Sequence, residues 1–130
     1  MAKPQLFHCL RYTDTDQAIE FLEALGFTRA VVVRDPDDDT LVAHAQLNWR
    51  DNGGVMLGST RPGDDDTPYR PGVCNLVVED NGAVDRLLER AVSAGATVIQ
   101  PPTNPPHSGR TGCVADFDGN WWNLDSYQGA

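Results

Sequence analysis

An α+β fold of two tandem βαβββ modules is what this chain predicts, and two observations carry the prediction. The first is an internal repeat. Leu10, Asp14, Ala18, Phe21 and Leu22 recur at one constant offset as Leu76, Asp80, Val84, Leu87 and Leu88. Each set reads as the end of a strand, a helix cap and the apolar face of a helix, and a self-similar unit of about half the chain signals a duplicated module. The second is that each helix pattern ends in a glycine followed by a fresh apolar run, Gly26-Phe27 and Gly95-Ala96, which marks the helix stop. Two similar modules imply a shared surface, and a ligand is expected there.

The elements follow in order. Residues 5–12 alternate weakly and are rich in apolar types, which predicts a strand. Asp14 with Gln17 forms a variant of the capping box. Ala18, Phe21, Leu22 and Leu25 then fall at i, i+3, i+4 and i+7, one face of a helix. Val31, Val32 and Val33 mark a second strand, and Asp35-Pro36 with the acidic run is a turn. Residues 41–49 alternate as a third strand. Asn52-Gly53-Gly54 is a hairpin signal leading to a fourth strand at 55–59. Module one therefore covers about 5–60, and the polar, proline-bearing stretch at about 61–71 is the connector.

Module two covers about 72–128. It predicts a strand at 73–79, then a helix at 82–94 with Val84, Leu87, Leu88, Ala91 and Val92 inward. A short strand at 96–100 runs into Pro101-Pro102-Thr103-Asn104-Pro105-Pro106. Proline lacks the ladder donor, so that stretch is a loop or a sheet edge. A strand at about 111–117, the turn Asp118-Gly119-Asn120 and a last strand at 121–127 complete the module.

The whole chain of 130 residues reads as a single domain, long enough to bury a core without staples. Hydrophobic residues make up 40%, and no apolar run approaches a bilayer span, so no membrane partner is expected. Met1-Ala2-Lys3-Pro4 lacks the apolar stretch of a signal peptide. Cys9, Cys74 and Cys113 lie in predicted strands without CxxC spacing and read as reduced thiols and small core residues, which fits a cytoplasmic location. The net charge of −9 repels phosphate backbones and argues against nucleic acid, while favouring a cationic ligand at long range. Asp35, Asp37, Asp38 and Asp39, and again Asp64, Asp65 and Asp66, sit among Pro or Gly. Both clusters read as solvated loops, and the first lacks the glycine and distal glutamate of a calcium loop.

Three segments carry a family resemblance: Leu10-Arg11-Tyr12-x-Asp14 with its helix ending in Leu25-Gly26-Phe27, the strand His44-Ala45-Gln46-Leu47, and Asp116-Phe117-Asp118-Gly119-Asn120-Trp121-Trp122. In that order, on a duplicated frame, the chain resembles the vicinal oxygen chelate superfamily, which groups glyoxalases, bleomycin-resistance proteins and extradiol dioxygenases. The resemblance covers nearly the whole length. It implies two βαβββ modules forming a curved mixed sheet around a cleft, and a homodimer.

The same resemblance implies where a metal would sit. The family's four ligand positions fall here on Phe7, Gln46, Val73 and Asn123. Phenylalanine and valine offer no lone pair, and divalent transition metals need imidazole or carboxylate donors in number. No metal and no cofactor are therefore expected. A shift of one residue in strand register would substitute His8 for Phe7 and Cys74 for Val73, because each step along a strand swaps faces. A site built from His8, His44 and His107 is a further geometric option, although each reads more simply as a hydrogen-bonding or surface histidine. There is no nucleophile elbow and no phosphate-cradling loop.

Members of the family without the metal quartet resemble the bleomycin-resistance branch, which binds a drug and performs no chemistry. The predicted cleft face carries Phe7, Cys9 and Arg11, then His44, Gln46 and Asn48, then Val73, Asn75 and Val77, and last Trp121, Asn123 and Asp125. Tyr69 and Arg70 in the connector, and Pro106, His107 and Arg110 in the second loop, are candidate caps. Flat aromatic ligands would stack on Trp121 and Phe7, with amides fixing orientation. Trp122 reads as core, and Trp49 as shaping the cleft rim or a dimer interface. The expected function is sequestration of an antibiotic or related aromatic metabolite. The alternative is a metal-dependent lyase- or dioxygenase-type enzyme with a non-standard ligand set.

Overall fold

The computed structural model describes residues 3–61, 63, 71–106 and 109–129. The chain divides into two compact units, Met1–Arg70 and Pro71–Ala130. Most of the predicted connector, with Asp64, Asp65, Asp66, Tyr69 and Arg70, lies outside the described residues, as does His107.

In the first unit the order is β1 (His8–Tyr12), α1 (Thr15–Leu25), β2 (Thr28–Arg34), β3 (Val42–Trp49) and β4 (Gly53–Ser59). The second repeats it as β5 (Val73–Val77), α2 (Asn81–Ser93), β6 (Thr97–Thr103), β7 (Thr111–Ala115) and β8 (Trp121–Asp125). The strands pair as two four-stranded mixed sheets, in the orders β1-β4-β3-β2 and β5-β8-β7-β6. In each, the first and last strands of the unit run parallel and the other pairs are antiparallel. The duplication read from the sequence is thus a duplication of topology.

The caps form where the repeat places them. Asp14 accepts a hydrogen bond from the backbone N–H of Gln17, and Asp80 from that of Ala83. Such caps satisfy N–H groups that the first helical turn leaves unpaired. Gly26 ends α1 at φ 118°, and the N–H of Phe27 reaches back to the carbonyl of Leu22. That is a Schellman stop, which suits a residue without a Cβ. Each helix covers one face of its own sheet. In the first unit Leu10, Tyr12, Ala18, Leu22, Leu25, Leu47 and Leu57 form the core, and in the second Leu76, Val84, Ala91, Val114, Trp122 and Leu124.

Several expectations shift. In α2, Val92 is 44% exposed, whereas Ala83, not singled out from the sequence, is 2% exposed. Leu87 and Leu88 are half-buried. The proline run is an edge: β6 continues through Pro101 and Pro102 to Thr103 as the outermost strand of its sheet, where missing donors leave no ladder broken. The hairpin turns earlier than predicted. Trp49 pairs with Gly53, so Arg50, Asp51 and Asn52 make the turn, with Arg50 at φ 50°, and both glycines lie inside β4. Trp49 packs on Phe27 at 4.9 Å between ring centroids and lies against Gly26. It therefore closes the C-terminus of α1 within its own unit.

Candidate functional site

The face of the first sheet opposite α1 is built by alternation. Cys9, Met56, Gln46 and Val31 stand side by side across β1, β4, β3 and β2, and residues directly opposite in a sheet share a face. Two residues along β4 from Met56 in either direction, on the same face, is a glycine. The ring of Phe7 lies over Gly54, where an added Cβ would stand 2.8 Å from a ring carbon. The guanidinium of Arg11 lies over Gly58, where a Cβ would collide with it and crowd the carbonyls of Val42 and Ala43. The pattern Gly54-x-Met56-x-Gly58 thus lets an aromatic ring and a cation approach the sheet closely on either side of a thioether.

Two cavities open on this unit. One of about 350 Å³ is lined by Cys9, Arg11, Ala43, His44 and Met56 with the backbone-neighbouring Leu10 and Leu57. Another of about 490 Å³ is lined by Phe7, Gln46, Asn48, Ala30 and the hairpin residues Arg50, Asp51 and Gly53, with Lys3 and Pro4. Gln46 Nε2 donates to Asn48 Oδ1 at 2.9 Å, so the two amides orient each other. Five of the predicted site residues, Phe7, Cys9, His44, Gln46 and Asn48, therefore meet on one unit. Met56 was missed; the glycines two residues to either side of it were the signal in the sequence.

On the second unit the face opposite α2 carries three rows: Val73, Trp121 and Ala115; Asn75, Asn123 and Cys113; Val77, Asp125 and Thr111. Trp121 is 42% and Val73 54% exposed. Cys113, expected in the core, is buried on this face beside Asn123, while Cys9 is exposed rather than a core residue. Arg110 is engaged elsewhere. Its Nε and Nη2 donate to the two carboxylate oxygens of Asp85 on α2, at 2.8 and 3.1 Å, and its Nη1 donates to Asn104 Oδ1. The guanidinium holds the Asp85 carboxyl below its usual range. Arg110 is thus placed where it ties the loop after β6 to the helix.

Trp122 is fully buried, and its Nε1 donates to Asp116 Oδ2 at 3.0 Å. Asp116 Oδ1 accepts from the backbone N–H groups of Asp118 and Asn120. The Asp-x-x-Gly-Asn-x-Trp motif is therefore a self-closing turn that sets the register of β8 and turns Trp121 outward.

The metal-ligand positions of the fold do not fit a metal in this chain. Phe7 and Val73 carry no donor, and Gln46 is bound to Asn48. Among the described residues no three His, Cys, Asp or Glu side chains gather to hold an ion. The shifted register does not restore a site: His8 pairs with Val55 and Cys74 with Trp122, on the helix-covered faces. Burial lowers the pKa of His8 and pushes the Cys74 thiol up to about 11. His8 and His44 therefore belong to opposite faces of their sheet. Among the described residues no helix is long and apolar enough to cross a membrane.

The family model for the Glyoxalase/Bleomycin resistance protein/Dioxygenase superfamily matches residues 5–124. The chain belongs to that superfamily. It is 34% identical over 131 residues to the uncharacterized protein Mb0911c of Mycobacterium bovis, covering 94% of this chain and 82% of the relative. Among solved structures it is similar to TioX from Micromonospora sp. ML1, at 29% identity and a TM-score of 0.70, covering 92% of this chain and 95% of the other. A glyoxalase/bleomycin resistance protein/dioxygenase family enzyme from Burkholderia phytofirmans PsJN shares the fold at a TM-score of 0.73 and 18% identity, covering 92% and 94% of the two chains.

Proposed function

We propose that this protein binds an antibiotic or related aromatic metabolite on its open sheet faces and sequesters it, without a metal and without chemistry. The observation that carries the reading is the face of the first sheet. It joins a thioether, an aromatic ring, two oriented amides and an arginine around cavities of small-molecule size, in a chain where two of the four family metal positions, Phe7 and Val73, lack donors. Pockets of a few hundred Å³ with apolar walls and a few placed polar groups are the usual form of a small-molecule site. Thioethers and aromatic rings take flat ligands by dispersion and stacking. Sequestration requires a dissociation constant below the working ligand concentration.

The test is a titration with a panel of aromatic antibiotics and bleomycin-type glycopeptides in chelator-treated buffer, read by tryptophan fluorescence and by protection of Cys9 from alkylation. Saturable binding that slows Cys9 modification supports the reading, and no saturable response to any member contradicts it. The two faces are read separately: Met56→Ala tests the first, and Trp121→Ala the second. Since Trp121 is exposed, its loss should weaken a ligand stacked on it by about 1 kcal/mol while leaving the fold intact. Unchanged affinity would remove Trp121 from the site. A homodimer is proposed with it, and sedimentation of a monomer at micromolar concentration would refute that part.

A further inference from the structure

Among the described residues, Arg11 differs from most other arginines in its partners, and from the exposed Arg90, which also shows no ion pair, in being half-buried. Arg29, Arg34, Arg61, Arg86 and Arg110 all form ion pairs with carboxylates. Among the described residues the Arg11 side chain makes no ion pair or hydrogen bond, although the chain carries 19 acidic residues against 10 basic ones. It is half-buried, its guanidinium lies against Gly58, and it lines the 350 Å³ cavity. Gly58 has an ordinary negative φ, so no left-handed backbone demands the glycine. The space beside it is taken up by the guanidinium, together with a close approach to the carbonyls of Val42 and Ala43.

We infer that this cavity recognises an anionic group, and that the ligand class is an apolar or aromatic carboxylate. The inference rests on the binding reading above and narrows it. A half-buried guanidinium with no internal partner presents its forked N–H donors to whatever enters, and that fork matches a carboxylate. His44 and Cys9 add polar atoms to the lining, while Met56 and Ala43 supply apolar surface for the rest of the molecule. The overall negative charge favours cations at long range, but at contact distance a low-dielectric wall with one unpaired cation selects the opposite sign. Cationic glycopeptides are therefore poor candidates for this cavity.

The experiment uses two probes of one shape, 2-naphthoate and the neutral 2-naphthamide, titrated by calorimetry against the full chain at neutral pH. Cys9 alkylation reports occupancy of the cavity. Naphthoate should bind about tenfold tighter than the amide and protect Cys9. Arg11→Gln should abolish that preference by weakening naphthoate alone, and Arg11→Lys, which keeps the charge, should retain most of it. The lysine variant also separates charge from any folding defect of the glutamine variant. Equal affinities for the two probes, or a naphthoate preference that survives Arg11→Gln, would overturn the anion inference and leave the binding face standing. If neither probe binds or protects Cys9, the binding face fails and the inference with it.

Discussion

Single residues separate cleanly into those that hold the fold and those left for a ligand. Asp116 belongs to the first kind. It is buried and accepts from Trp122 Nε1 and two backbone N–H groups. Asp116→Ala leaves several buried donors unsatisfied and should cost about 3 kcal/mol, read as a lower urea midpoint. Cys9 belongs to the second kind. At about pH 8, iodoacetamide on the native protein should modify Cys9 first, because it is exposed, while Cys74 is half-buried with its thiol pKa at about 11 and Cys113 is buried. Modification of Cys74 ahead of Cys9, seen by peptide mass mapping, would contradict the assigned faces. His8 adds a pH dependence. Burial depresses its folded pKa below the ordinary 6.5, so its contribution to stability is full above that value and is lost as pH falls through the folded pKa. The urea midpoint should therefore fall more between pH 7.5 and 5.5 in the native chain than in His8→Gln, and identical slopes would deny the effect.

At the scale of elements, the αL stop of α1 is the sharpest test. Gly26 sits at φ 118°, and an added Cβ would meet only ordinary contacts, the nearest being Trp49 at 3.6 Å. Gly26→Ala should therefore cost about 1 kcal/mol through the backbone alone, measured by chemical denaturation. The elements themselves were legible because their signals are local. Asp14 and Asp80 cap, Gly26 stops, and period 2 put Phe7, Cys9, Arg11, His44, Gln46 and Asn48 on one face, where the structure has them. What was not legible depends on partners distant in sequence. The Asn-Gly-Gly run looked like the turn itself, but Gly54 and Gly58 are strand residues kept small by Phe7, just before β1, and by Arg11 within it. Arg110 looked like a pocket cap because nothing nearby in sequence announces Asp85 as its partner. Val92 fits the helical period, yet it is 44% exposed, because helical spacing alone does not say which residues of a face the sheet covers.

For the whole molecule, two copies of one topology carry different chemistry on their open faces. The first offers cavities, amides and an arginine without an ion-pair partner among the described residues. The second offers an exposed row of Val73, Trp121 and Ala115 above a row containing Asn75 and Asn123. Shared topology transmits the scaffold, and the residues on each open face decide what is bound. The central claim is that binding needs no metal. Calorimetric titration of the best ligand from the panel, in chelator and again after addition of zinc, nickel or manganese, tests it most directly. The account predicts the same saturable heat and affinity in both conditions. Binding or turnover that begins only after metal is added would contradict it and assign the chain to the metal-dependent enzymes of its superfamily.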